Sequence, residues 1–190
     1  MHKKLGMILT LLLCMGMVFS TPVYARSDTE TKEEEKTDKE EKGKKVYFAS
    51  PMFNSGEKDF NLEVVKVLEK HGYEVFLPQR DGIEGALLEG KTEEEMIKMI
   101  FELDDKEVQK ADIVFMNLDG RVPDEGACVE LGMAYARGKR CYGIKTDTRS
   151  LEKNMDLNPM ISGCMIKIFQ NYDGDEVLKE LDQYLSENEL

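Results

Sequence analysis

Residues 112–118, DIVFMNL, hold four strand-forming apolar residues in succession, Ile113 to Met116. A half-exposed strand alternates apolar and polar side chains, whereas a run apolar on both faces has to be covered on both faces. A parallel sheet with helices packed on each side does this. The rest of the sequence supplies the matching parts. Residues 45–50, KVYFAS, and 73–78, YEVFLP, are short runs of strand formers, the second closed by Pro78. Residues 140–147, RCYGIKTD, and 165–170, MIKIFQ, bring the count to five strands. Helical patterns separate them. Phe60, Val64, Val67, Leu68 and His71 recur at helical spacing and Gly72 ends the run. Thr92 and Glu95 form a capping box for a helix reaching about Lys110. Residues 126–137 read as a helix, and so do 174–187, with Val177, Leu178, Leu181 and Leu185 on one side. The alternation predicts an α/β domain over residues 45–190, a doubly wound five-stranded parallel sheet of flavodoxin-like (Rossmann-like) type.

The N-terminus is expected to lie outside that domain. A basic stretch (His2, Lys3, Lys4), an apolar run over 5–19 and small residues at Val23 and Ala25 read as a signal peptide over 1–25 that exports the chain. The apolar run is short for a membrane span, so no stable span is expected after cleavage; an uncleaved anchor is the other reading. Residues 26–44 form a charged linker, since 27–45 contain no apolar side chain and cannot offset the entropy of ordering; a charged helix is the alternative. The formal net charge is -12, which disfavours nucleic acid and anionic membranes as partners. Of four cysteines, Cys14 lies in the leader. Cys128, Cys141 and Cys164 remain, an odd number without CxxC spacing, which argues against a disulfide framework and against a zinc site, although one pair stays open.

In a doubly wound sheet, ligands bind beyond the carboxyl ends of the strands. The residues there are 50–53, 79–82 and 117–124. His71, the one histidine after the leader, sits at a helix end and suits packing or the helix dipole better than catalysis. Neither a GxxxxGK[ST] loop nor a GxGxxG after a strand is present. Carboxylates are what remain. Glu130 lies among the small residues Gly126, Ala127 and Ala134, in the first turns of the 126–137 helix. The helix dipole there is expected to hold it ionised, as suits a nucleophile; a solvent-facing helix Glu is the plain alternative. Asp104 follows Ile97, Ile100 and Phe101 on an apolar stripe, where partial desolvation would raise its pKa, as suits a general acid. The alternative ends the helix near Leu103 and makes Asp104 a cap. Asp124 reads as an N-cap, and Asp81 and Asp119 sit in post-strand loops. Two carboxyls of unlike pKa across a pocket are the equipment for cleaving a glycosidic bond with retention.

Four segments in order, YFASPMF (47–53), FLPQRDG (76–82), NLDGRVPDEGACVELGMAYA (117–136) and NPMISG (158–163), resemble the nucleoside 2-deoxyribosyltransferase family, and the longest is similar to its purine-preferring branch. The resemblance implies a flavodoxin-like fold and transfer of 2-deoxyribose between nucleobases through a covalent deoxyribosyl-enzyme. It implies Glu130 as the nucleophile, Asp104 as the acid at the leaving base and Tyr47 as the hydroxyl orienting Glu130. Phe53 would line the base site, Asp124 would bind the 5′-hydroxyl, and Asn158, with Met160 beside it, would come from a neighbouring subunit of a homo-oligomer. Asp81 would approach the base and Asp119 the substrate pocket. No metal or organic cofactor is implied; the partners are deoxynucleosides and free bases. Hydrolases of the same superfamily, some acting on nucleoside 5′-monophosphates, are the nearest alternative, though a carboxylate at Asp124 would repel a phosphate. A non-catalytic nucleotide-binding module is the second.

Overall fold

The computed structural model describes residues 44–149, 151 and 155–190. The expected leader over 1–25, and the linker over 26–44 apart from Lys44, lie outside the described residues. The elements are β1 (Lys45–Ala49), α1 (Ser55–Lys70), β2 (Glu74–Phe76), α2 (Pro78–Asp81), α3 (Gly85–Leu88) and α4 (Glu93–Lys110). They continue with β3 (Ile113–Asn117), α5 (Glu125–Ala136), β4 (Arg140–Lys145), α6 (Pro159–Ser162), β5 (Lys167–Gln170) and α7 (Gly174–Glu187).

The sheet runs β2-β1-β3-β4-β5 with every pairing parallel, as the sequence predicts. From β1 the chain first steps to β2 and then crosses to β3 on the other side of β1. The direction of winding reverses between β1 and β3, which opens a crevice beyond their carboxyl ends.

Side-chain parity along β1 assigns each residue to a face. Val46 and Phe48 join Ile113, Phe115 and Phe169 in a core closed by Val64 and Leu68 of α1 and Val177 and Leu181 of α7. Tyr47 and Ala49 join Val114 and Met116 in a second core closed by Val108 of α4 and by Ala127, Leu131 and Ala134 of α5. Tyr47 is therefore held on the face that α4 and α5 cover. Leu181 is fully buried in the first core, remote from that face. Leu181→Ala is expected to lower the unfolding free energy of the full chain by roughly 2–5 kcal/mol in a urea titration.

The capping box at Thr92 forms as predicted, with Glu95 N–H donating to the Thr92 hydroxyl and Glu95 Oε2 accepting from Thr92 N–H. The helix it opens runs unbroken past Asp104 to Lys110, so Asp104 is an interior residue and not a cap. The apolar stripe on α4 is less buried than its pattern suggests: Ile97, Ile100 and Phe101 are exposed and only Val108 is buried. Three four-residue helices, α2, α3 and α6, escape prediction because one turn carries no periodicity. Proline stands first in two of them, Pro78 and Pro159, where its fixed φ suits a helix start. No helix among the described residues is long and apolar enough to cross a membrane.

Candidate active site

The crevice between β1 and β3 gathers three of the polar side chains singled out in the sequence. Tyr47 projects from β1, fully buried, and its hydroxyl donates to Glu130 Oε1 at 2.7 Å. Glu130 reaches that hydroxyl from the second turn of α5 and is half-buried, so the solvent-facing alternative does not hold. Asp104, half-buried on α4, is an electrostatic neighbour of the same tyrosine. It also lines a hollow of roughly 270 Å³ with Met52, Gln79, Ile83 and Leu103. The β3–α5 loop sets the height of Glu130. Gly120 there has φ +123, and a Cβ would stand 2.7 Å from the Val122 carbonyl, so only glycine fits the turn. Asp124 then caps α5, its Oδ1 accepting from Ala127 N–H at 2.9 Å.

Burial pushes the Glu130 carboxyl up to about 7; the Tyr47 hydrogen bond opposes the rise, and the charges of Asp104 and Asp124 add to it. This corrects the expectation that the helix dipole holds Glu130 ionised, because desolvation outweighs the dipole. Burial raises Asp104 as well, opposed by hydrogen bonding with Tyr47. The Tyr47 phenol is driven far above its ordinary range, first by burial and then by both carboxylates, so it stays a proton donor. Glu130 therefore keeps its proton into the neutral range beside a Tyr47 hydroxyl that remains a donor. Tyr47→Phe removes the donor that favours ionised Glu130. A hydrogen bond to a charged acceptor is worth roughly 1.5–3 kcal/mol, or about one to two pH units. The acid limb of the kcat/KM profile should therefore move to higher pH by about that much. A profile that keeps its midpoint would show that Tyr47 does not act through Glu130.

The other predicted residues are placed differently. Phe53 follows β1 with 78% of its surface exposed, while Met52 beside it lines the Asp104 hollow. Asp81 is occupied within its own turn, accepting from Leu77 N–H at 2.9 Å and paired with Arg80, and it borders a separate hollow with Lys45 and Glu74. Asp119 ties the β3 and β4 loops together: Oδ1 accepts from the N–H groups of Thr146 and Asp147, and Oδ2 from the Thr146 hydroxyl. Asn158 caps α6 through Met160 N–H at 2.9 Å. Asn158 and Met160 line another hollow, of roughly 380 Å³, with Val122, Cys128 and Ile161, and neither Glu130 nor Asp104 borders it. Met160 is 79% exposed. His71 caps α1, with Nε2 2.7 Å from Asp182 on α7, a packing role as expected. Among the described residues, no group of three or more His, Cys, Asp or Glu side chains is placed to hold a metal ion.

One polar hub was not singled out in the sequence. Asn61, fully buried in α1, donates to the Pro51 carbonyl at 2.8 Å and to Gln79 Oε1 at 2.9 Å, and accepts from Asn117 Nδ2 at 3.0 Å. It pins the loop after β1, the start of α2 and the end of β3 at the mouth of the crevice. Its one legible signal is an amide between Phe60 and Val64 on an apolar helix stripe.

Residues 46–175 match the sequence profile of the family described as nucleoside 2-deoxyribosyltransferase. Among solved structures, the 2-deoxyribosyltransferase of the psychrotolerant bacterium Bacillus psychrosaccharolyticus is 27% identical, with a TM-score of 0.58 over 70% of this chain and 90% of its own. That of Leishmania mexicana is 17% identical, with a TM-score of 0.53 over 77% of this chain and 99% of its own. A CMP N-glycosidase of Clostridium botulinum is 21% identical, with a TM-score of 0.51 over 74% of this chain and 99% of its own. The last two likenesses concern the fold alone. No curated protein matches the chain. The profile match spans more than half of the sequence and contains Tyr47, Asp104 and Glu130, and the chain belongs to the nucleoside 2-deoxyribosyltransferase family.

Proposed function

We propose that the chain transfers 2-deoxyribose between nucleobases through a covalent deoxyribosyl-Glu130 intermediate. The observation that carries this reading is the Tyr47–Glu130 hydrogen bond, with Asp104 beside it, at the switch point of the sheet. Glu130 attacks C1′ of a bound deoxynucleoside in its ionised form. Asp104 delivers a proton to the departing base, so the base leaves neutral. The Tyr47 hydroxyl holds the attacking carboxylate in place and then the acyl oxygen of the ester. A second base enters, attacks C1′, returns its proton to Asp104 and frees Glu130. Without a 2′-hydroxyl on the sugar, the oxocarbenium-like transition state is easier to reach, so deoxynucleosides are the substrates; the likeness of residues 117–136 to the purine-preferring branch supports purines as the bases. Asp124 accepts from the sugar 5′-hydroxyl through the oxygen not engaged in capping α5, and a carboxylate there disfavours a 5′-phosphate. Phe53, Asp81 and Asp119 belong to the walls of this pocket.

Asn158 and Met160 complete the site from a neighbouring copy. Exposed Ile97, Ile100 and Phe101 on α4, with Val129 and Tyr135 on α5, support a homo-oligomer, because apolar side chains of this size on adjacent helices mark an interface. Light scattering should then give a multiple of the 21.7 kDa chain mass. Export by the 1–25 leader places the reaction outside the cytoplasm, with scavenged deoxynucleosides as donors.

The test is chromatography of the full chain with deoxyinosine, with and without adenine. Deoxyadenosine is expected, and only with adenine present. Hypoxanthine released at the same rate with or without adenine would assign the hydrolase instead. No product from either mixture would leave the binding module.

A further inference from the structure

Tyr47 is held by more than its hydroxyl. In the parallel ladder it stands opposite Phe76 of β2 on one side and Val114 of β3 on the other. The Phe76 ring stacks on the Tyr47 ring, with centroids 5.5 Å apart and planes 19° from parallel. At that separation the rings are offset rather than face to face, as aromatic pairs prefer. Val114 is fully buried in the same core as Tyr47. Phe76 is half-buried and borders the hollow of roughly 200 Å³ that Lys45, Glu74 and Asp81 also line. The Tyr47 hydroxyl is carried at the far end of its ring, so a small tilt of the ring displaces the oxygen that bonds Glu130 at 2.7 Å. A flat neighbour stacked on the ring resists that tilt, and an aliphatic one of similar bulk resists it less.

We infer that Phe76 is a positioning residue for the transferase chemistry, its ring holding the Tyr47 ring at the tilt that seats the hydroxyl on Glu130. Its part in catalysis rests on the transferase reading, whereas the stacked contact exists whatever the reaction. Glu130 is faced by the Tyr47 hydroxyl from β1, by Asp104 from α4 and by Asp124 at the start of its own helix. Phe76 adds no charge to that set and acts through Tyr47. Without the stacked ring, the hydrogen bond that favours ionised Glu130 weakens. The Glu130 carboxyl then titrates at higher pH, in the same direction as on loss of the hydroxyl itself.

The test is a direct titration of Glu130 in the full chain labelled with carboxyl-13C glutamate, its resonance assigned by its absence in Glu130→Gln. Phe76→Leu and Phe76→Met keep an apolar side chain without a flat face. Each should raise the midpoint by about 0.3–1 pH unit, less than Tyr47→Phe does. Phe76→Tyr keeps the ring and should titrate like the wild type. In a Tyr47→Phe background neither aliphatic substitution should move the midpoint further. A change in the burial of Glu130 would act in both backgrounds, and only the part carried by the hydroxyl disappears. The acid limb of kcat/KM should follow the same pattern. An equal shift in both backgrounds would overturn the inference, as would no shift, or a shift in Phe76→Tyr as large as in Phe76→Leu. The titration needs no turnover. The expected midpoints in a wild type that transfers no sugar would remove the transferase reading and leave Phe76 as the support of Tyr47. Sugar transfer with equal shifts in both backgrounds would do the reverse.

Discussion

Glu130→Gln is expected to abolish deoxyribosyl transfer, by a factor on the order of 10⁴ or more, while leaving the fold intact. The size follows from the role: without a carboxylate no covalent intermediate forms, and the whole covalent route is lost. Glutamine keeps the shape and still offers an oxygen to the Tyr47 hydroxyl, so the loss belongs to the chemistry and not to packing. The same substitution should stabilise the protein, and the sign depends on pH. The folded pKa of Glu130 is raised from its ordinary value to about 7, so the native state holds the proton more tightly than the unfolded chain. Burying the carboxyl costs nothing extra below the unfolded value near 4.5. The penalty grows as pH rises from there to about 7 and is constant above it. Thermal unfolding should therefore show a Tm difference in favour of Glu130→Gln at pH 8 that shrinks toward pH 4.5. Equal Tm differences at both pH values would show that Glu130 is not the desolvated group. In the wild type, quenching with deoxynucleoside present should leave the sugar on the peptide containing Glu130 and on no other.

Much of this was legible because the fold is written in local patterns. The apolar run at 113–116 demands cover on both faces, and alternation with helices then leaves a doubly wound sheet as the answer. Strand parity carries Tyr47 to the α4–α5 face, and that face holds Asp104 and Glu130. What stayed illegible depends on packing between distant segments. The dipole argument for Glu130 uses only its own helix, whereas its carboxyl responds chiefly to burial beneath neighbouring elements. Asp119 looks like any post-strand carboxylate until the β4 loop arrives and occupies both of its oxygens. Asp81 is likewise consumed by its own turn and by Arg80. Asn61 shows the converse: its three partners come from three different segments, 10, 18 and 56 residues away, and no local pattern announces such a hub. The four-residue helices share that obscurity, being barely one period of the signal that would reveal them.

Asp104→Asn should lower turnover of ordinary deoxynucleosides by roughly 10²–10⁴-fold, the range for loss of a positioned general acid. Asparagine preserves size and can still meet the Tyr47 hydroxyl, but it has no proton to give a leaving base. The deficit should therefore depend on the base. Bases whose anions are weakly basic depart without help, so a donor with a more acidic leaving base should lose far less activity in the variant. The pH profile supplies an independent sign. A general acid works while protonated, and burial raises the Asp104 carboxyl, which keeps it protonated to higher pH than an ordinary aspartate. Wild-type activity should fall on the basic side as this proton is lost, and Asp104→Asn should lack that fall. Steady-state rates for two donors of unlike leaving-group acidity, measured from pH 5 to 9, test both consequences. A uniform loss for the two donors would sink the general-acid role and leave Asp104 as a contact for binding.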